Sequence, residues 1–75
     1  MAQATPKTTH VAATVTDIRP QAGIAYLTGA DGSGWAVTGS TRGAGLDSLK
    51  PGQHVDLTVE HHSDFSVASG YAPLD

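Results

Sequence analysis

From His54 to Glu60 the chain alternates without a break: Val55, Leu57 and Val59 are apolar, and His54, Asp56, Thr58 and Glu60 are polar. A period of two places the apolar set on one face of a strand and the polar set on the other. Such a strand belongs in a sheet with one buried face and one wet face. No competing helical signal is present. No stretch of about twelve residues combines a spacing of 3.6 with freedom from Gly, Pro and β-branched runs. The chain therefore reads as all-β.

Four further strands follow from period and punctuation. Val11, Ala13 and Val15 alternate with Ala12, Thr14 and Thr16, Ile18 follows, and Pro20 ends the run because it lacks a ladder donor. From Gly23 to Thr28, Ile24 and Tyr26 share one face, and Ala25 and Leu27 the other. Asp31-Gly32 is the strongest hairpin signal in the chain. A third strand runs from Trp35 to Thr38, with Trp35 and Val37 on one face and Trp35 plugging an end of the core. Ser40 to Gly52 is a longer loop, in which Leu46 and Leu49 predict a single helical turn that tucks both onto the core. Pro51-Gly52 closes that loop as a turn. His61 to Asp64 is turn-like, and Phe65 to Ala72 forms the last strand, stopped by Pro73. The expected core is Val11, Val15, Ile18, Leu27, Val37, Leu46, Leu49, Val55, Leu57, Val59 and Val67.

With 75 residues the chain holds one domain. Residues 1–9 show no apolar period and read as a flexible N-terminal tail, leaving 10–75 as the folded unit. There are no cysteines, which excludes a disulfide framework, a thiolate nucleophile and a cysteine zinc site. No run approaches the roughly 20 apolar residues of a membrane helix. No apolar stretch follows a basic start, so the expected location is cytoplasmic. Four Lys and Arg against seven Asp and Glu give a net charge of −3, which argues against strong non-specific nucleic-acid binding. Short strands, Gly-rich turns and one long loop after the third strand suit a small five-stranded antiparallel barrel, whose closure removes exposed edges.

From Ala12 to Leu74 the chain resembles the bacterial cold-shock proteins, a family of five-stranded OB-fold barrels. Val15 to Leu27 falls without a gap on the family's V-K-W-F-N-x-x-K-G-F-G-F-I pattern. Asp31-Gly32-Ser33 is similar to its turn before strand three, Ser48 to Val59 to its S-L-x-x-G-Q-x-V-x-F-x-V/I run, and Ala68 to Ala72 to its last strand. The resemblance implies a barrel that stacks bases of single-stranded RNA or DNA on aromatics of its first three strands. At those positions stand Asp17 for Trp, Ile18 for Phe, Ile24 and Tyr26 for two Phe, and Ala22 for Lys. Ala36, Thr38 and Gly39 replace Phe, His and Phe. Only Tyr26 remains aromatic. Each stacked base contributes about 1–3 kcal/mol in such sites, so the loss of three or four rings removes several kcal/mol.

The resemblance gives Ile24, Tyr26 and Thr38 as nucleic-acid-binding candidates; Arg19, which follows strand one beside that face and could meet a phosphate, and Arg42 and Lys50, two more of the chain's few fixed cations, join them. No metal site is expected, because His61 and His62 are strand neighbours that point apart, and no H-x-H or H-E-x-x-H motif accompanies them and His10 and His54. No cofactor is expected. The glycine-rich stretches at 32–34 and 39–43 lack the Lys-Ser/Thr of a phosphate loop, and no serine lies in a G-x-S-x-G elbow. Asp56 and Glu60 are about 13 Å apart along a strand, too far for a retaining carboxylate pair. The chain reads as a non-enzyme and a monomer. Two functions follow as expectations. One is weak or selective single-strand RNA or DNA binding in gene-expression regulation. The other is a protein-interaction barrel whose strand 1–3 face meets the transcription or translation machinery.

Overall fold

The computed structural model describes residues 7–74, in which the expected five strands are present. They are β1 (Lys7–Arg19), β2 (Ile24–Gly29), β3 (Gly34–Thr38), β4 (His54–His61) and β5 (Ser66–Pro73), with a single 3₁₀ turn at Leu46–Ser48. All ladders are antiparallel, and the strand order β3-β2-β1-β4-β5 curls into a half-barrel of OB-like form. The long first strand serves two partners. Its N-terminal part pairs with β4 from Lys7↔His61 to Thr14↔His54, and its C-terminal part pairs with β2 from Ala13↔Gly29 to Arg19↔Ile24.

Lys7, Thr8 and Thr9 are thus strand rather than tail, because they pair with His61, Glu60 and Val59. Nothing in their own hydrophobicity announces this; the length of β4 recruits them. The rest of the segment read as tail lies outside the described residues.

Within its ladder to β2, β1 carries a bulge. Val15 pairs with Leu27 and Asp17 with Tyr26, which leaves Thr16 as the extra residue. Thr16 Oγ1 donates to the Tyr26 carbonyl at 3.1 Å. The bulge explains why the inward set runs Val11, Ala13, Val15 and then Ile18, with two residues between the last pair rather than one.

The two hairpins of the first three strands use the turn chemistry that the sequence carries. Gly23 adopts φ 68° where the Arg19 and Pro20 carbonyls accept the N–H groups of Ala22 and Gly23 at 3.1 Å each. In the second hairpin, the Asp31 carboxylate accepts both the Ser33 N–H (3.1 Å) and the Ser33 hydroxyl (2.6 Å), and Gly32 takes φ 88°.

The core consists of Ala13, Val15, Ala25, Leu27, Val37, Leu49, Val55, Leu57, Val59 and Tyr71. Val11, Ile18, Trp35, Leu46 and Ala68 pack partly buried against it. Trp35 is anchored by its indole N–H, which donates to Ser33 Oγ at 2.8 Å. One expected core residue does not belong: Val67 is 40% exposed. It pairs with Glu60, an outward residue of β4, and so faces outward itself. Between Val59↔Ala68 and Thr58↔Gly70 a second bulge leaves Ser69 over and shifts the phase of β5, which turns Tyr71 inward opposite Leu57.

The loop after β3 closes part of the gap between the two edge strands. Arg42 bridges Gly70 in parallel fashion: its N–H donates to the Ser69 carbonyl (3.4 Å), and its own carbonyl accepts from Tyr71 N–H (2.9 Å). The Tyr71 hydroxyl accepts from Gly45 N–H at 3.0 Å. Gly43 lies over the Tyr71 ring so closely that a Cβ there would stand 2.5 Å from Cζ.

Candidate functional site

The antiparallel register sets two rows of side chains across the outer face of β1, β2 and β3. Asp17, Tyr26 and Ala36 form one row, and Arg19, Ile24 and Thr38 the next. Residues opposite each other in a ladder share a face with Cβ atoms about 5 Å apart. Arg19, Ile24, Tyr26 and Thr38, four of the six candidates, therefore meet on one open surface. Tyr26 is 43% exposed at the centre of its row, while its strand neighbours Ala25 and Leu27 are buried in the core. Ala36 on its β3 side carries only a methyl group, so the ring has room beside it. A shallow groove runs past Tyr26 between Thr16, Thr28, Gly34 and Ala36.

The electrostatics of this face are local. Arg19 Nε donates to Asp17 Oδ2 at 2.8 Å. Asp17 and Arg19 are two apart on β1 beyond the bulge, and so project on the same side. That hydrogen bond holds the Asp17 carboxyl below its usual value of 3.8 and pushes the Arg19 guanidinium above its own. Arg19 thus arrives at the face with its charge already balanced. By the sequence alone Asp17 stands where the resemblance expects a Trp ring; the Asp-x-Arg spacing on a strand is the signal for the pair.

Thr38 is occupied by its turn. Its hydroxyl lies 3.0 Å from Ser40 Oγ and its N–H donates to Thr41 Oγ1 at 3.0 Å. Arg42 and Lys50 are not part of this surface. The Arg42 backbone is bound to β5, and an open polar hollow beside it is bounded by Thr58, Glu60, Ser69 and Gly70. Lys50 sits in the turn before β4, where its N–H donates to Gln53 Oε1 at 3.1 Å.

A second aromatic feature lies away from this face. Phe65, 57% exposed, stacks on His62 with ring centroids 4.5 Å apart in the β4–β5 connection. His62 Nε2 is 3.4 Å from Glu60, whereas His61 contacts Thr9 Oγ1 (2.7 Å) and Ser66 Oγ (2.9 Å). The adjacent histidines therefore engage different neighbours. On the outer face of β1 and β4, His10 Nδ1 lies 2.9 Å from Asp56 Oδ2. Among the described residues, no three His, Asp or Glu side chains converge as a metal would require. No helix among them is long and apolar enough to cross a membrane.

Chemically, the β1–β3 face offers one stacking ring, one neutralised ion pair, an aliphatic shelf at Ile24 and a small-residue margin. No family model, no curated protein and no solved structure matches this chain.

Proposed function

We propose that this chain is a single-strand nucleic-acid-binding module of reduced affinity, a divergent relative of the cold-shock barrels, acting as a cytoplasmic monomer in gene-expression regulation. The observation that supports it most is the cross-strand alignment that gathers Arg19, Ile24, Tyr26 and Thr38 on one open face with the Tyr26 ring accessible at its centre. Stacking on a ring is tolerant of sequence, since every base has a π-face. One ring in place of several, with a net charge of −3, sets the affinity low. Micromolar binding needs about 8 kcal/mol, and one ring supplies about 1–3.

The test is fluorescence anisotropy of labelled oligo-dT and oligo-U at low salt. The expected dissociation constants lie between about 10 µM and about 1 mM. Tyr26→Ala is expected to weaken binding by about fivefold or more. Sub-micromolar binding, or binding indifferent to Tyr26→Ala, contradicts the proposal.

A second reading draws on the Asp17–Arg19 pair. Because Asp17 takes up the one fixed cation of the face, the surface also suits a protein of the transcription or translation machinery. Failure of both oligonucleotides to bind at millimolar concentration would favour that reading.

A further inference from the structure

We infer that the Asp17–Arg19 pair beside Tyr26 makes this face selective for guanine among single-stranded bases, an inference that rests on the function proposed above. Asp17 and Tyr26 are direct partners in the β1–β2 ladder, so carboxylate and ring stand side by side on the open face. A base stacked on Tyr26 therefore presents an edge to a carboxylate. An ionised carboxylate is an acceptor only, with about four lone-pair sites, and Arg19 Nε engages Oδ2 at 2.8 Å. The remaining sites favour a base edge with hydrogen-bond donors side by side.

Guanine is the base with that edge: its N1–H and 2-amino group are neighbouring donors that a carboxylate can accept together. Adenine brings its exocyclic amine between two acceptor nitrogens, and cytosine brings one amine beside the N3 acceptor, so each can give a carboxylate one donor where guanine gives two. Uracil and thymine bring one imide N–H between two carbonyls. Arg19 adds the complementary half. Arginine carries five N–H donors, and those beyond Nε are suited to guanine O6 or N7.

The ion pair itself fits this role. Its hydrogen bond orients the Asp17 carboxylate on the open face next to the ring. The same pairing spends the positive charge that a phosphate-clamping site would use. Discrimination on this face therefore comes from a base edge. The shallow groove past Tyr26, bounded by Ala36 and Gly34 on the β3 side, leaves that flank of the ring open.

The experiment compares short labelled uridine oligomers whose central base is uracil, adenine, guanine or hypoxanthine, titrated at low salt by anisotropy. A good bidentate contact discriminates by about fivefold to a hundredfold, and an exposed one falls near the lower end. The central guanine is expected to tighten binding at least about fivefold over uracil and adenine, and hypoxanthine, which lacks the 2-amino group, to lose most of that gain. In Asp17→Asn and Asp17→Ala, checked for folding by circular dichroism, the guanine-to-adenine ratio is expected to fall to about one. Binding of the uracil oligomer without a guanine preference overturns this inference and leaves the single-strand function standing. A guanine preference that survives both Asp17 variants overturns it as well. If no oligomer binds at all, both fall together.

Discussion

On β1, Asp17 and Arg19 stand two residues apart on the same side of a strand, and the 2.8 Å contact between them governs how the face meets a charged ligand. With Arg19 balanced, few phosphates are neutralised on binding, so salt should matter little. For single strands the slope of log K against log salt is about −0.7 per neutralised phosphate, and a slope shallower than about −1 between 50 and 200 mM salt is expected. A steeper slope would place the contacts on other cations. The rings missing from the face give a second prediction. Asp17→Trp, Ile24→Phe and Ala36→Phe together return three stacking surfaces and remove one negative charge. At about 1–3 kcal/mol per ring, even partial recovery predicts a gain of about tenfold to a hundredfold in oligo-U affinity, read by the same anisotropy titration. A folded triple variant with no gain would mean that the face is not a degraded stacking platform. Acid gives a third. Hydrogen bonds from Arg19 to Asp17 and from Ser33 to Asp31 lower both carboxyl pKa values below 3.8. Groups with depressed folded values add stability above about pH 4 and lose it as the pH falls through those values. Urea melts should therefore show stability declining below about pH 4, with a shallower decline in Asp17→Asn/Asp31→Asn.

Among the elements, β4 was the most legible and β5 the least, and the reason is the same property of strands. Val55, Leu57 and Val59 keep one phase from end to end, and all are fully buried. β5 changes phase at Ser69, so its inward residues, Ala68 and Tyr71, stand three apart, and no single alternation along the strand finds both. The Thr16 bulge has the same effect in β1, but there Ile18 marks the new phase and kept it in the expected core. The turns were legible because Gly23, Gly32 and Asp31 act locally. The Arg42–Gly70 bridge was not, since it joins two segments far apart in the chain. Leu57→Ala removes side-chain volume from a site with no exposure and is expected to cost about 2–5 kcal/mol in a urea melt. In a domain whose total stability is of order 5 kcal/mol, that leaves between about 3 kcal/mol and none, the lower end being the half-folded point. Gly43→Ala acts on the clasp between the β3 loop and β5. Its new Cβ would crowd the Tyr71 ring at 2.5–2.7 Å, and a loss of about 1–3 kcal/mol is expected. A wild-type melt from either variant would contradict the packing described.

For the molecule as a whole, the curl of the sheet separates a buried concave side from convex surfaces of different character. The β1–β3 surface carries Tyr26 and the ion pair, the β1–β4 surface carries His10 and Asp56, and the β4–β5 connection carries the His62–Phe65 stack. The central claim is that the first of these meets single-stranded nucleic acid. Amide chemical-shift mapping of the folded chain titrated with a guanine-containing uridine oligomer tests it most directly. The account predicts shifts concentrated at Asp17, Arg19, Ile24, Tyr26, Ala36 and Thr38, with the His10–Asp56 surface and the β4–β5 connection unmoved. Shifts centred instead on Arg42 and Lys50, or on His62 and Phe65, would contradict it.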